Sequence, residues 1–87
     1  MIQELKLYPE YFQAKIDGIK PWEYRINDRG FMVGDILILR EFDPDNGYSG
    51  RAISVKVEFV YHPSKNHVIL SDDSAKKINW ISLETIR

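Results

Sequence analysis

Ile53, Val55, Val57, Phe59 and Tyr61 occupy every second position, the period of a β-strand with one apolar face. This is the clearest half-buried strand in the chain, and such a strand is stable only beside others that share its pattern. Ile36-Leu37-Ile38-Leu39 reads as a strand buried on both faces, and Trp22, Tyr24 and Ile26 alternate with Glu23, Arg25 and Asn27. Val68-Ile69-Leu70 is a further short strand, and Trp80 to Ile86 a last one. Turn chemistry separates these runs: Asn27-Asp28-Arg29-Gly30, Val33-Gly34-Asp35, a polar hairpin loop over Asp43-Pro44-Asp45-Asn46-Gly47 and Ser49-Gly50, and a loop over His62-Pro63-Ser64-Lys65-Asn66.

The N-terminal stretch carries a different period. Leu5-Lys6-Leu7-Tyr8 alternates as a short strand and then meets Pro9, which suits the first turn of a helix. Tyr8, Phe12 and Ile16 recur at four-residue intervals with Tyr11 beside them, and Gly18 stands where a left-handed cap ends a helix. The spacing predicts an amphipathic helix from Pro9 to Asp17, and Asp72 to Lys77 a turn or single helical turn with Asp72-Asp73 and Lys76-Lys77 as solvated charges at its ends. One early helix followed by about five short strands gives an α+β, mainly β class: a small curved sheet or barrel with helical cover. With 87 residues and no linker, repeat or low-complexity tract, residues 1–87 form one domain.

Composition narrows the function. Twelve Lys and Arg against thirteen Asp and Glu give a net charge of -1, which argues against a strongly basic nucleic-acid platform but leaves room for a small basic cleft. There is no Cys, so thiolate metal sites, disulfides and a cysteine nucleophile are excluded. The run Ile36–Leu39 is far too short to cross a bilayer, and the N-terminus lacks a signal-peptide pattern; no membrane association and a cytoplasmic location are expected. His62 and His67 lack a third ligand at metal spacing, and no phosphate loop or nucleophile elbow is present. No metal or cofactor is expected. Most aromatic side chains should fill the core, with Tyr48 the best candidate for an exposed ring.

The densest chemical cluster is Gly18-Ile19-Lys20-Pro21-Trp22-Glu23-Tyr24-Arg25, with Asn27 and Arg29 beyond it. On an extended strand Glu23, Arg25 and Asn27 share one side, and Lys20 lies at its start. Arg offers a planar fork for phosphate or a base edge, Lys a mobile charge and Glu an acceptor for an amino group. The same pattern also describes a solvated strand face with a surface ion pair worth about 0–1 kcal/mol.

That segment fits the GxKxxExR signature of the ASCH domain, a branch of the PUA-like superfamily. Leu5-Lys6-Leu7, Pro9-Glu10-Tyr11-Phe12, Asn27-Asp28-Arg29, Val33-Gly34-Asp35, Leu39-Arg40-Glu41-Phe42-Asp43-Pro44 and Gly50-Arg51 resemble a small bacterial and phage branch of unknown function. The resemblance spans roughly residues 4 to 61 and implies a PUA-like β-barrel with an N-terminal helix beside a cleft. It also implies binding of RNA, a nucleotide or a modified nucleoside by Lys20, Glu23 and Arg25, with Asn27 and Arg29 as neighbours. Some ASCH-like proteins are amidohydrolases on acylated cytidine, with a Thr where this chain has Glu23; a ribonuclease activity has also been associated with the group. An enzyme of this kind would use Lys20 as base or nucleophile and Glu23 as its acid/base partner. A protein-binding regulatory domain with a vestigial cleft is the third expectation.

Overall fold

The computed structural model describes residues 1–82. Strand β1 (Ile2–Leu7) is followed by helix α1 (Pro9–Ile16), β2 (Trp22–Ile26), β3 (Ile36–Asp43), the long β4 (Gly47–Ser64), β5 (His67–Asp72), a single 3-10 turn (Asp73–Ala75) and β6 (Asn79–Trp80). The sheet runs β1-β3-β4-β5-β2, with β6 pairing β4. Only β1 and β3 are parallel, because the chain leaves β1 through α1 and β2 before returning beside it; the other ladders are antiparallel. No helix among the described residues is long and apolar enough to cross a membrane.

Alternation places Leu5 and Leu7 of β1, Leu37 and Leu39 of β3, Ile53, Val55 and Val57 of β4, and Val68 and Leu70 of β5 in one core with Phe12 and Phe31. Each fully buried side chain of this kind contributes roughly 1.5–3 kcal/mol. Pro9 opens α1 at its first turn, and Gly18 (φ 74) takes the left-handed conformation after it.

The chain departs from the sequence expectation in five places. Ser49 and Gly50 belong to β4, so the polar hairpin turn is Pro44-Asp45-Asn46 alone. The region around Pro63 is not a loop: β4 continues to Ser64, and Lys65-Asn66 alone make the turn. Irregular register between Val57 and Phe59 breaks the period of β4, so Phe59 and Tyr61 are 60% and 55% exposed although Ile53, Val55 and Val57 are buried. Ile36 and Ile38 are half-buried rather than enclosed. Only Asn79–Trp80 of the expected last strand pairs, and residues 83–86 lie outside the described residues.

The sheet is open: its end strands β1 and β2 form no ladder with each other. Two guanidinium groups bridge them instead. Arg25 Nη2 donates to the Lys6 carbonyl at 2.9 Å, and Arg29 Nη1 to the Glu4 carbonyl at 2.7 Å. Carbonyls two residues apart point to the same side of a strand, so both arginines cap the free edge of β1.

Two buried carboxylates pin the margins. Asp35 accepts from the Met32 N–H at 2.9 Å, from the N-terminal ammonium and from Gln3 Nε2, and these donors hold its carboxyl below the usual range. Arg51 grips Glu41 through two bonds of 3.0 and 2.9 Å and holds Glu41 low in the same way. A carboxyl whose folded pKa is depressed stabilises the protein above its unfolded value and loses that contribution as pH falls through the folded one. Glu41→Gln should therefore destabilise the chain near neutrality, and its urea midpoint should converge on that of the unaltered protein as pH falls from about 4 toward 2. A constant difference between the two midpoints across that range would refute the assignment.

Candidate functional site

The polar residues of β2 point inward and its apolar residues outward, the reverse of a simple amphipathic strand. Glu23 is 1% exposed, whereas Trp22, Tyr24 and Ile26 are 43%, 54% and 64% exposed. The cause lies on α1, where Lys15, three residues after Phe12, occupies the inward face and is fully buried. Lys15 Nζ donates to Asp72 Oδ2 at 2.7 Å and to the Trp22 carbonyl at 3.3 Å, and lies 3.3 Å from Glu23 Oε2. Asp72 is in turn fixed by the Ser74 N–H on its other oxygen. An enclosed ammonium requires carboxylates around it, and β2 and the end of β5 deliver them.

Glu23 joins this buried pair to a cleft. Arg25 Nη2 bonds its Oε1 at 3.2 Å, and Lys20 Nζ stands 3.5 Å from Oε2. Oε2 thus has two ammonium groups nearby, yet no donor reaches it in hydrogen-bond geometry. The cleft above it, about 650 Å³, opens where the end strands of the sheet fail to meet. Its walls are Lys6 and Tyr8 from the end of β1, Tyr11 from α1, Trp22, Tyr24 and Arg25 from β2, and Phe42 from β3. Lys20 Nζ lies over the Tyr11 and Trp22 rings at 4.7 and 4.8 Å, and Lys6 Nζ over Phe42 at 4.5 Å. Such cation–π contacts, about 0.5–2 kcal/mol each, hold the flexible ammonium groups at the rim. The arrangement offers cationic rims for phosphate, ring faces for stacking and a carboxylate floor for an N–H donor.

Of the residues singled out from the sequence, Lys20, Glu23 and Arg25 converge here. Asn27 and Arg29 do not line this cleft: the Asn27 N–H bonds the Asn66 carbonyl, and Arg29, bridging to β1, lines a separate hollow of about 290 Å³ beside Tyr24 and Phe31. Sequence reading missed Lys6, Tyr8, Tyr11 and Phe42 as walls and Lys15 and Asp72 as supports. Lys15 carried one available signal, its place between Phe12 and Ile16 on the apolar stripe; Asp72, expected to be a solvated turn charge, is 4% exposed. Tyr48 is 41% exposed, but its ring packs on Phe42 and under Arg40. Among the described residues no group of three or more His, Cys, Asp or Glu could hold a metal ion.

A small mainly β chain with this seam and cleft can be set beside known proteins. Residues 2–73 match a family described as a domain of unknown function, DUF3850, and the chain belongs to that family. It is also similar to an uncharacterized 12.9 kDa protein from the GpA 3' region of Escherichia phage P2, with 36% identity over 56 residues. The match covers 64% of this chain and 50% of the phage protein, so it spans about half the length of that curated relative.

Removing the ammonium of Lys15 leaves Glu23 and Asp72 buried with less compensation. Lys15→Met should lower unfolding free energy by about 3–5 kcal/mol, read as a drop in urea midpoint. Lys20→Met, at the exposed end of the same cluster, should cost far less. Equal, small losses in both variants would show that the buried cluster is not what holds α1 to the sheet.

Proposed function

We propose that the chain is an ASCH domain of the PUA-like superfamily and that its cleft binds RNA or a nucleotide. The GxKxxExR residues Lys20, Glu23 and Arg25 support this reading because they meet at one cleft rather than spreading over a solvated strand face. The observation that carries it is the nearly enclosed Glu23 carboxylate, whose Oε2 lacks a hydrogen-bonded donor at the floor of an aromatic cleft with ammonium groups at its rim. A ring stacks on tyrosine, phosphate meets Lys6 and Lys20, and a nucleobase N–H reaches the Glu23 oxygen once Lys20 Nζ, 3.5 Å above it, swings aside.

The charge of the whole chain sets the expected strength. With a net charge of -1, long-range attraction adds little, and a few cleft cations supply a weak, salt-dependent grip. Glu23 acts here as an acceptor held in place by its cations, so the reading is one of binding.

An amide-resolved NMR titration with a short single-stranded RNA at two salt concentrations tests this. Shifts should concentrate at Lys6 to Tyr11 and Lys20 to Arg25 and weaken with added salt. Lys6 pairs with no carboxylate among the described ion pairs, so Lys6→Ala should lose no more stability than its ring contact with Phe42 supplies, weaken binding and lower the salt slope by about 1. Absence of shifts at millimolar RNA or mononucleotide, or shifts elsewhere only, would sink the reading.

A further inference from the structure

The outer face of β4-β5-β2 carries large apolar side chains in register. Tyr24 pairs with Ile69, and Ile69 with Tyr61; in the next row Trp22 pairs with Ser71, and Ser71 with Phe59. These rows present Trp22, Tyr24, Phe59 and Tyr61 at 43%, 54%, 60% and 55% exposure, with Ile26 beside them at 64%. At about 150–250 Å² per aromatic side chain, these residues leave on the order of 600 Å² of mostly apolar surface in one patch. A patch of that size on a small protein marks an interaction surface.

We infer that this face is where two copies of the chain meet, sheet against sheet. Charge selects the kind of occupant: neither row contains Lys, Arg, Asp or Glu, whereas nucleic-acid affinity depends on cations that neutralise phosphate. Aromatic residues with charge excluded from the centre are the composition of a protein interface. A two-fold axis sets the patch against itself, which a charged face resists and a neutral one permits. Two such faces pack as aligned sheets about 10 Å apart, with tyrosine and phenylalanine rings interdigitating. About 600 Å² per copy lies below the roughly 800 Å² per partner of standard interfaces, which places the dimer among weak, reversible associations. Trp22 and Tyr24 line the cleft as well, and Lys20 sits over the Trp22 ring on that side, but Phe59 and Tyr61 lie outside the cleft lining, so substitutions at these two residues test the dimer apart from the binding reading.

Sedimentation velocity from about 5 µM to about 500 µM spans the range in which an interface of this size dissociates. The unaltered protein should shift from monomer to dimer, with concentration-dependent amide shifts confined to β2, β5 and the second half of β4. Tyr61→Glu should raise the dissociation constant roughly tenfold or more while RNA titration of the cleft is unchanged. Should Tyr61→Glu fail to fold by circular dichroism, Phe59→Ser gives the same readout. A monomer throughout the range overturns the inference, as does a dimer that Phe59→Ser and Tyr61→Glu leave intact. So does a monomer whose RNA binding collapses in Tyr61→Glu, which would assign the face to nucleic acid.

Discussion

The structure depends on an ammonium with no access to water. Lys15 projects from the inward face of α1 into space that an aliphatic side chain would ordinarily fill, and an unpaired charge there costs several kcal/mol. Asp72, Glu23 and the Trp22 carbonyl together accept or face its three protons. One residue thereby fixes the helix to the start of β2 and to the end of β5, elements that share no backbone ladder with the helix. The orientation of β2 follows from it: with Glu23 drawn inward, alternation sends Trp22, Tyr24 and Ile26 to the outside.

That orientation shapes the open edge of the sheet. Because Glu23 and Arg25 occupy the inner side of β2, a guanidinium rather than a backbone ladder spans the distance to β1, and Arg29 repeats the bridge two β1 residues away. Two side-chain bonds cap the carbonyls of an edge without filling the space between the strands. The gap that remains is the cleft, so the same departure from ladder pairing that leaves the sheet open creates this concavity.

The secondary structure was legible from period and punctuation. Pro9, the four-residue spacing through Phe12 and Ile16, and the alternation at Ile53 to Val57 are local signals, and the helix and strands fall where those signals place them. The faces were less legible. A period-two segment with apolar and polar halves does not say which half is inside; that was decided by Lys15 and Asp72, 57 residues apart in sequence. Phe59 and Tyr61 continue the β4 alternation on paper, but the register irregularity after Val57 turns them outward. At the site, Lys20, Glu23 and Arg25 could be read as a group because they share one six-residue segment. Lys6, Tyr11 and Phe42 come from three other elements, and only tertiary structure makes them neighbours.

Glu23 stands between these two kinds of constraint. Its carboxylate faces Lys15 on the protein side and Lys20 and Arg25 on the cleft side, at 3.3, 3.5 and 3.2 Å. A carboxylate held from three directions cannot follow a ligand by changing rotamer without taking from the buried Lys15 one of its two carboxylate partners. Its position is therefore set before anything enters the cleft, which removes an ordering cost from binding. Lys6 and Lys20, by contrast, are tethered by ring faces, contacts that tolerate sliding better than a bidentate pair does. The cleft thus combines a fixed acceptor at its floor with adjustable cations at its rim, and the fixed half is the part that folding itself requires.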